Sequence, residues 1–475
     1  MESFPRRGAQ TTYMLSLPCL AKSFLVLSSI KNQAQSDMAN DIPISQMKPG
    51  DFLTRLREGI EFVERRVVNR EPVVEQIFAA LLTREHALIQ SRTGAGKSLL
   101  AEQIFLMFEG ARIFTVQASK DQQPDTYFGG LDIEELKKGR LIHNTEGSLV
   151  ESEFGFIDEI FDANDYTLRS LLSCLNERAL RRGVQYVKAR IHTVIAATNY
   201  LRVSEITEAL LDRFLYKSLV IPDKEPYVQY QISRKYFEHG GSPVEPPFKI
   251  PYAELYRATE KIKGNIPGEE ISIPTDVMYF ANLVIRYYES LRNRRLKEHP
   301  EEYPHLKDFY ISPRTQAKAI DLLSAIAFLQ NRNEVRREDV EKLYFLFTTV
   351  GIEEEKSLFQ KAYTTVLHQY NTRAGFSNLK ALLELDELLE RLRLKPELLK
   401  EPITELEQSP LRKTLIDWAK EKLGLVDPGV EHNRKLLESF SESITPMNEE
   451  THELKQHIRK SINQLFQSKE HIWGQ

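Results

Sequence analysis

The sequence predicts an α/β protein: a parallel sheet with helices on both faces, followed by an α-helical lid domain and a helical C-terminal region. Three observations carry that expectation. As far as residue 223, short apolar runs alternate with helical periodicity, the pattern of a sheet whose crossovers are helices. A Pro/Gly-rich connector occupies 239–251, and from about 252 the pattern is helical. Beyond Phe376 come charged helices carrying leucine stripes. The expected division is 1–45, a disordered or wrongly included extension; 46–223, the α/β domain; 224–370, the lid; and 371–475, the charged helical region.

Taken in order, residues 51–86 place Phe52, Leu56, Ile60 and Val63 on one helical stripe and Val74, Ile77 and Leu81 on another. Ala87-Leu88-Ile89 reads as a strand, 91–98 as a glycine-rich turn, and Leu99–Phe108 as a helix. Residues 111–118 read as a buried strand. The polar stretch 119–152, with Gly129, Gly130 and Gly139, reads as an exposed insertion. An apolar strand then ends in Asp158-Glu159, and the helix after it carries Leu168, Leu171, Leu172 and Leu175 on one face. The strand Ile191–Ala197 closes on Thr198-Asn199. Amphipathic segments follow at 273–297, 313–331 and 337–366, with Ser312 as N-cap and Pro313 in the first helical position of the second. The stripes Leu379, Leu382, Leu389, Leu392 and Leu454, Ile458, Ile462, Leu465 either pack on the lid or bind a partner helix. Packing is the expectation, because exposed leucine stripes aggregate.

At 475 residues the chain is long enough for two or three domains. A net charge of −4 gives no bulk attraction to nucleic acid or anionic membrane. Cys19 and Cys174 cannot build a disulfide framework or a four-cysteine zinc site, so a reducing, cytoplasmic setting is expected. Pro18 and Lys22 interrupt the apolar run Tyr13–Ile30, so no membrane span is expected, and Met38 would suit a true start.

The chemistry concentrates at five places. Ser91-Arg-Thr-Gly-Ala-Gly-Lys-Ser98, between a strand and a helix, forms a cradle whose backbone N–H groups face anionic oxygens. Lys97 would reach the β/γ-phosphates of a nucleotide and the Ser98 hydroxyl would hold Mg²⁺. Asp158 and Glu159, at a strand's C-terminal end, suit two roles: Asp158 in the Mg²⁺ shell and Glu159 orienting or deprotonating water. Asn199 ends the strand expected beside theirs, where its amide could bond the γ-phosphate or the attacking water. Arg213 could be lent to a neighbour's γ-phosphate. Arg314, two residues past the Ser312 cap, could reach across the cleft to the same phosphate.

Those motifs, in that order, resemble the AAA+ ATPases, whose fold is that of the P-loop NTPases. Phe156–Asn164 followed by Leu171–Arg178 looks like the MoxR family, as does Val68-Asn69-Arg70-Glu71 upstream of Ala79–Leu82. The resemblance spans roughly residues 55–350. It implies ATP and Mg²⁺ as cofactors. Val68 and Asn69 would lie at the adenine-contacting turn. Ser91, Arg92, Thr93, Gly94, Ala95, Gly96, Lys97, Ser98 and Leu99 would line the phosphates, and Ser98 and Asp158 would serve the metal. Asn199 would be sensor 1, Arg213 an arginine finger acting in trans, and Arg314 sensor 2. Ser91 departs from the family's first loop glycine, and Arg92-Thr93 stand where relatives often carry prolines.

The implied function is hydrolysis of ATP in a ring, hexameric by resemblance, that remodels a partner protein or inserts a metal cofactor. The partner would often carry a von Willebrand A-type domain. A nucleic-acid translocase is the alternative, since Arg178–Arg190 is basic and could form a hairpin facing a pore. The acidic net charge and the lack of interleaved aromatics weigh against it. Magnesium-chelatase-like work is a third reading.

Overall fold

The computed structural model describes residues 49–182, 185–202, 205–222, 224–299, 309–347, 355–400, 430–446 and 449–473. The extension expected at 1–45 lies outside them. Helix Pro49–Arg66 leads to helix Glu71–Thr83, and the two stripes read from 51–86 sit on these two helices. Asn69 breaks the helical path at φ 52°, a left-handed conformation, and Pro72 opens the second helix where no N–H is needed.

The strands are β1 (Ala87–Ser91), β2 (Phe108–Glu109), β3 (Ile113–Gln117), β4 (Phe154–Asp158), β5 (Ala179–Arg182), β6 (Gln185–Lys188), β7 (Thr193–Thr198), β8 (Tyr216–Val220) and β9 (Ile250–Pro251). Five form the central sheet in the order β3-β4-β7-β1-β8, every neighbouring pair parallel. Strand alternation sorts its side chains into two cores. Ile89, Phe154, Phe156, Ile195 and Ala197 join one core with the lid and the C-terminal helices. Leu88, Ile157, Val194 and Ala196 join the other, with Leu168, Leu171 and Leu175.

Several expectations need correction. The stretch 119–152 is not simply an exposed insertion: Tyr127, Phe128, Leu149 and Val150 are buried in the second core, while Ile133, Leu136 and Leu141 stay exposed. The connector 239–251 is no free linker. Gln103 exchanges two hydrogen bonds with the Val244 backbone, at 2.7 and 2.9 Å, and β9 pairs with β2. Strand β8 has too few apolar residues to stand out in the sequence. The segment 337–366 is a 3₁₀ turn at Arg337–Leu343, a short helix at Tyr344–Phe347 and a helix from Glu355 to Tyr370.

The lid helix Pro313–Leu329 begins as expected, with Ser312 Oγ accepting from Thr315 N at 3.2 Å. Its far end meets the first helix, where Phe52 packs on Phe328 and Arg57 donates to Leu329 O at 2.8 Å. Helix Arg373–Leu394 lies against Thr275–Glu298 and Glu355–Tyr370, and Glu449–Trp473 lies against it in turn. Both leucine stripes are buried there, the packing expected of them. No helix of the described residues is long and apolar enough to cross a membrane.

Two buried histidines anchor the entry to the sheet. His86 Nδ1 accepts from Val194 N at 3.1 Å, and His192 Nε2 bonds Leu81 O at 2.7 Å. Burial, aided by the Arg178 charge, pushes His86 down to about 3; burial, aided by Arg84, pushes His192 well below the usual range. Both are therefore neutral when folded. Below pH ~6.5 the unfolded chain binds protons that the folded chain refuses, so stability falls with pH. The expected slope is about 1.4 kcal/mol per pH unit per histidine. Denaturant titrations from pH 7.5 to 5 check it; His86→Asn, whose Oδ1 takes the place of Nδ1 as acceptor for Val194, should remove about one proton from the slope.

Candidate functional site

Parallel pairing puts the C-terminal ends of β1, β4 and β7 on one edge, with β7 between the other two. After β1 the backbone turns through Gly94 and Gly96, at φ 82° and 79°, into helix Lys97–Phe105. A Cβ would meet nothing at either glycine, so conformation and not space selects the residue. Ser91 is different. It is the last residue of β1, paired with Val220 and not among the positive-φ residues, so a serine is accommodated where relatives carry glycine.

Lys97 is buried, its ammonium 2.5 Å from Asn199 Oδ1 and 3.7 Å from Glu159 Oε1. Ser98 Oγ donates to Asp158 Oδ2 at 3.4 Å. Glu159 accepts from Asn199 twice, from its side-chain amide and, at 3.1 Å, from its backbone N–H. Glu159 itself takes φ 52°, a strained position for a residue with a Cβ, and its N–H is tied to Asp158 Oδ1 at 3.0 Å. Lys97, Ser98, Asp158, Glu159 and Asn199 thus form one group at the edge of the sheet. Val68 and Asn69 lie in the turn between helices Pro49–Arg66 and Glu71–Thr83, the second of which leads into β1.

Arg213 and Arg314 are not in that group. Helix Glu205–Leu211 carries the chain back from the end of β7 to the start of β8, whose Tyr216 pairs with Ala87. Arg213 therefore sits at the opposite edge, on the order of 15 Å away along a five-residue strand. There it pairs with Asp212. Arg314 lies with them, donating to Asn176 Oδ1 at 3.1 Å and standing 3.8 Å from Asp212 Oδ2. Arg314, expected to reach across the cleft to the same phosphate as Arg213, stands with Arg213 beside Asp212 and not beside Lys97 of its own chain. Asn176 lies in the stretch Leu171–Arg178 and Asp212 precedes Arg213 in the chain, and only the tertiary contacts show their part.

The basic segment 178–190 forms the antiparallel hairpin of β5 and β6. Its charges are largely committed. Arg178 holds the Ile191, His192 and Arg84 carbonyls, Arg181 pairs with Glu177, Arg182 with Asp125 and Arg190 with Glu153. Gln185 and His143 exchange hydrogen bonds at 2.8 and 2.9 Å, joining the hairpin to the 119–152 segment.

Comparison with known proteins agrees with this geometry. Residues 54–229 match the family described as the MoxR domain in the MoxR-vWA-beta-propeller ternary systems, and residues 288–356 match the AAA lid domain. An uncharacterized protein of Methanocaldococcus jannaschii is 28% identical over 301 residues, 62% of this chain and 70% of that one. The chaperone MoxR1 of Mycobacterium tuberculosis is 24% identical over 292 residues, 60% of this chain and 72% of its own. The crystal structure of a candidate ATPase from Cytophaga hutchinsonii, 17% identical, superposes with a TM-score of 0.51 over 67% of this chain and 95% of that one, which bears on the fold alone. A parallel sheet with a phosphate-loop turn and an AAA lid, joined to these matches, makes the chain a member of the MoxR family of AAA+ ATPases.

Proposed function

We propose that this ATPase works as a closed ring, a hexamer as the family resemblance suggests, in which each ATP lies between two copies of the chain. The carrying observation is the separation of the two clusters. Lys97, Ser98, Asp158, Glu159 and Asn199 stand at one edge of the sheet, and Arg213 and Arg314 at the other. One copy holds the nucleotide and the next lends the cations. A cyclic arrangement closes such head-to-tail contacts.

Mg²⁺ fits the donor set. Ser98 and Asp158 present one hydroxyl and one carboxylate oxygen 3.4 Å apart, and Mg²⁺ takes few protein ligands, filling its shell with waters and phosphate oxygens. Bound there, it would neutralise charge on the phosphates. Glu159, oriented by Asn199, would then accept a proton from the attacking water, and Lys97 would exchange Asn199 for phosphate oxygens.

The energy would remodel a client protein, with a von Willebrand A-type domain as the recognised feature; the description of the matched family, which names vWA systems, supports this. Exposed aromatics on helix Pro226–His239, among them Tyr227, Tyr230, Tyr236 and Phe237, offer surface for protein contacts. The committed charges of the hairpin do not favour nucleic acid. Mass photometry with ATP and Mg²⁺ should show a closed oligomer, and capture on the Glu159→Gln chain should enrich a vWA-domain protein. A chain that stays monomeric while hydrolysing ATP at full rate would overturn the ring, and turnover stimulated by single-stranded DNA would overturn the protein client.

A further inference from the structure

Asp212 is where the α/β domain and the lid meet through charge. Its Oδ2 pairs with Arg213 and stands 3.8 Å from Arg314 Nη1, while its Oδ1 accepts from Ser312 Oγ at 3.4 Å. Ser312 is also the cap that sets the start of the lid helix. The turn carrying Asp212 is held firmly. Arg213 N and Phe214 N both bond Leu210 O, at 2.9 and 3.2 Å, and Phe214 is buried. The half-buried Lys217 ammonium donates to Leu211 O at 3.3 Å and Phe214 O at 3.1 Å. A carboxylate on a fixed turn thus faces two long cationic side chains from different domains.

We propose that Asp212 is a positioning residue that binds Arg213 and Arg314 into one unit, so that both meet the triphosphate of a second copy together. The inference rests on the proposed ring, in which those arginines serve a neighbouring site. Without the carboxylate, two guanidinium groups in close approach repel, and each regains the rotamers that pairing removes. The lid helix would also lose its charged tether to the α/β domain. Asp212 and Arg314 are 37% and 38% exposed, and ion pairs that open to water add little to stability. The effect belongs in turnover.

The test uses the full chain with Asp212→Asn, which keeps an acceptor for Ser312 and removes the charge. Turnover should fall about 10- to 100-fold, the scale of a misplaced catalytic group. KM for ATP should stay within about twofold, because the P-loop of the same chain is untouched. Asp212→Glu should recover most of the turnover. Mixing Asp212→Asn with Lys97→Ala should restore activity, since the second chain lends intact arginines to the intact nucleotide site of the first. Mixing Arg213→Ala with Lys97→Ala is the control for the ring. If the control recovers and the Asp212→Asn mixture does not, or Asp212→Asn turns over at the full rate, Asp212 has no such role. If the control itself fails to recover, the trans reading fails instead. Should Asp212→Asn and Asp212→Glu both lose the folded transition on melting, the residue is merely structural and the proposal fails.

Discussion

Substituting Glu159→Gln should lower ATP turnover by about 10²- to 10⁴-fold, the range of a lost general base, while ATP still binds. The amide keeps the size of the side chain and an oxygen to accept from Asn199 N, which Glu159 now holds at 3.1 Å. It cannot take a proton from water. Nucleotide affinity should persist because Lys97, Ser98 and the turn through Gly94 and Gly96 are unchanged. Turnover under saturating ATP and binding of a fluorescent ATP analogue, measured side by side, separate the two. Wild-type turnover in this variant would remove Glu159 from its proposed role.

Arg213→Ala should cost more, about 10³- to 10⁵-fold in kcat, as for a cation lent to the γ-phosphate. ATP affinity should again be retained, because Arg213 sits at the edge opposite Lys97, at the start of β8. Loss of the guanidinium also frees Asp212 to pair with Arg314 alone. The decisive signature is concentration dependence. Wild-type turnover per chain should rise as the ring assembles, whereas the variant should stay low even when assembled. Equal turnover for the two proteins in the assembled state would exclude Arg213 as the lent cation.

The two predictions draw on different levels of information. The Lys97 end was legible because local rules expose it. A turn that needs φ above zero demands glycine, a helix start offers N–H groups to anions, and a parallel strand presents its last side chain to a ligand. Gly94, Gly96, Lys97, Asp158 and Asn199 each report such a constraint within a few residues of chain. The pairing of β7 with β4, expected from Asn199 following the acid-bearing strand, is observed. Strand β8 and the stitching of 239–251 to Gln103 were not legible, because short strands and backbone contacts leave no periodic signature.

The local sequence, then, determined the class of fold, the phosphate turn and the acids beside it, since these depend on neighbours along the chain. Where Arg213 and Arg314 stand was decided only by the tertiary structure. A crossover helix reverses the chain direction and carries Arg213 to the far edge, and the packing of the lid sets Arg314 against Asp212 and Asn176. Such placement depends on contacts across as many as 138 residues, as between Arg314 and Asn176, and no short-range rule encodes it.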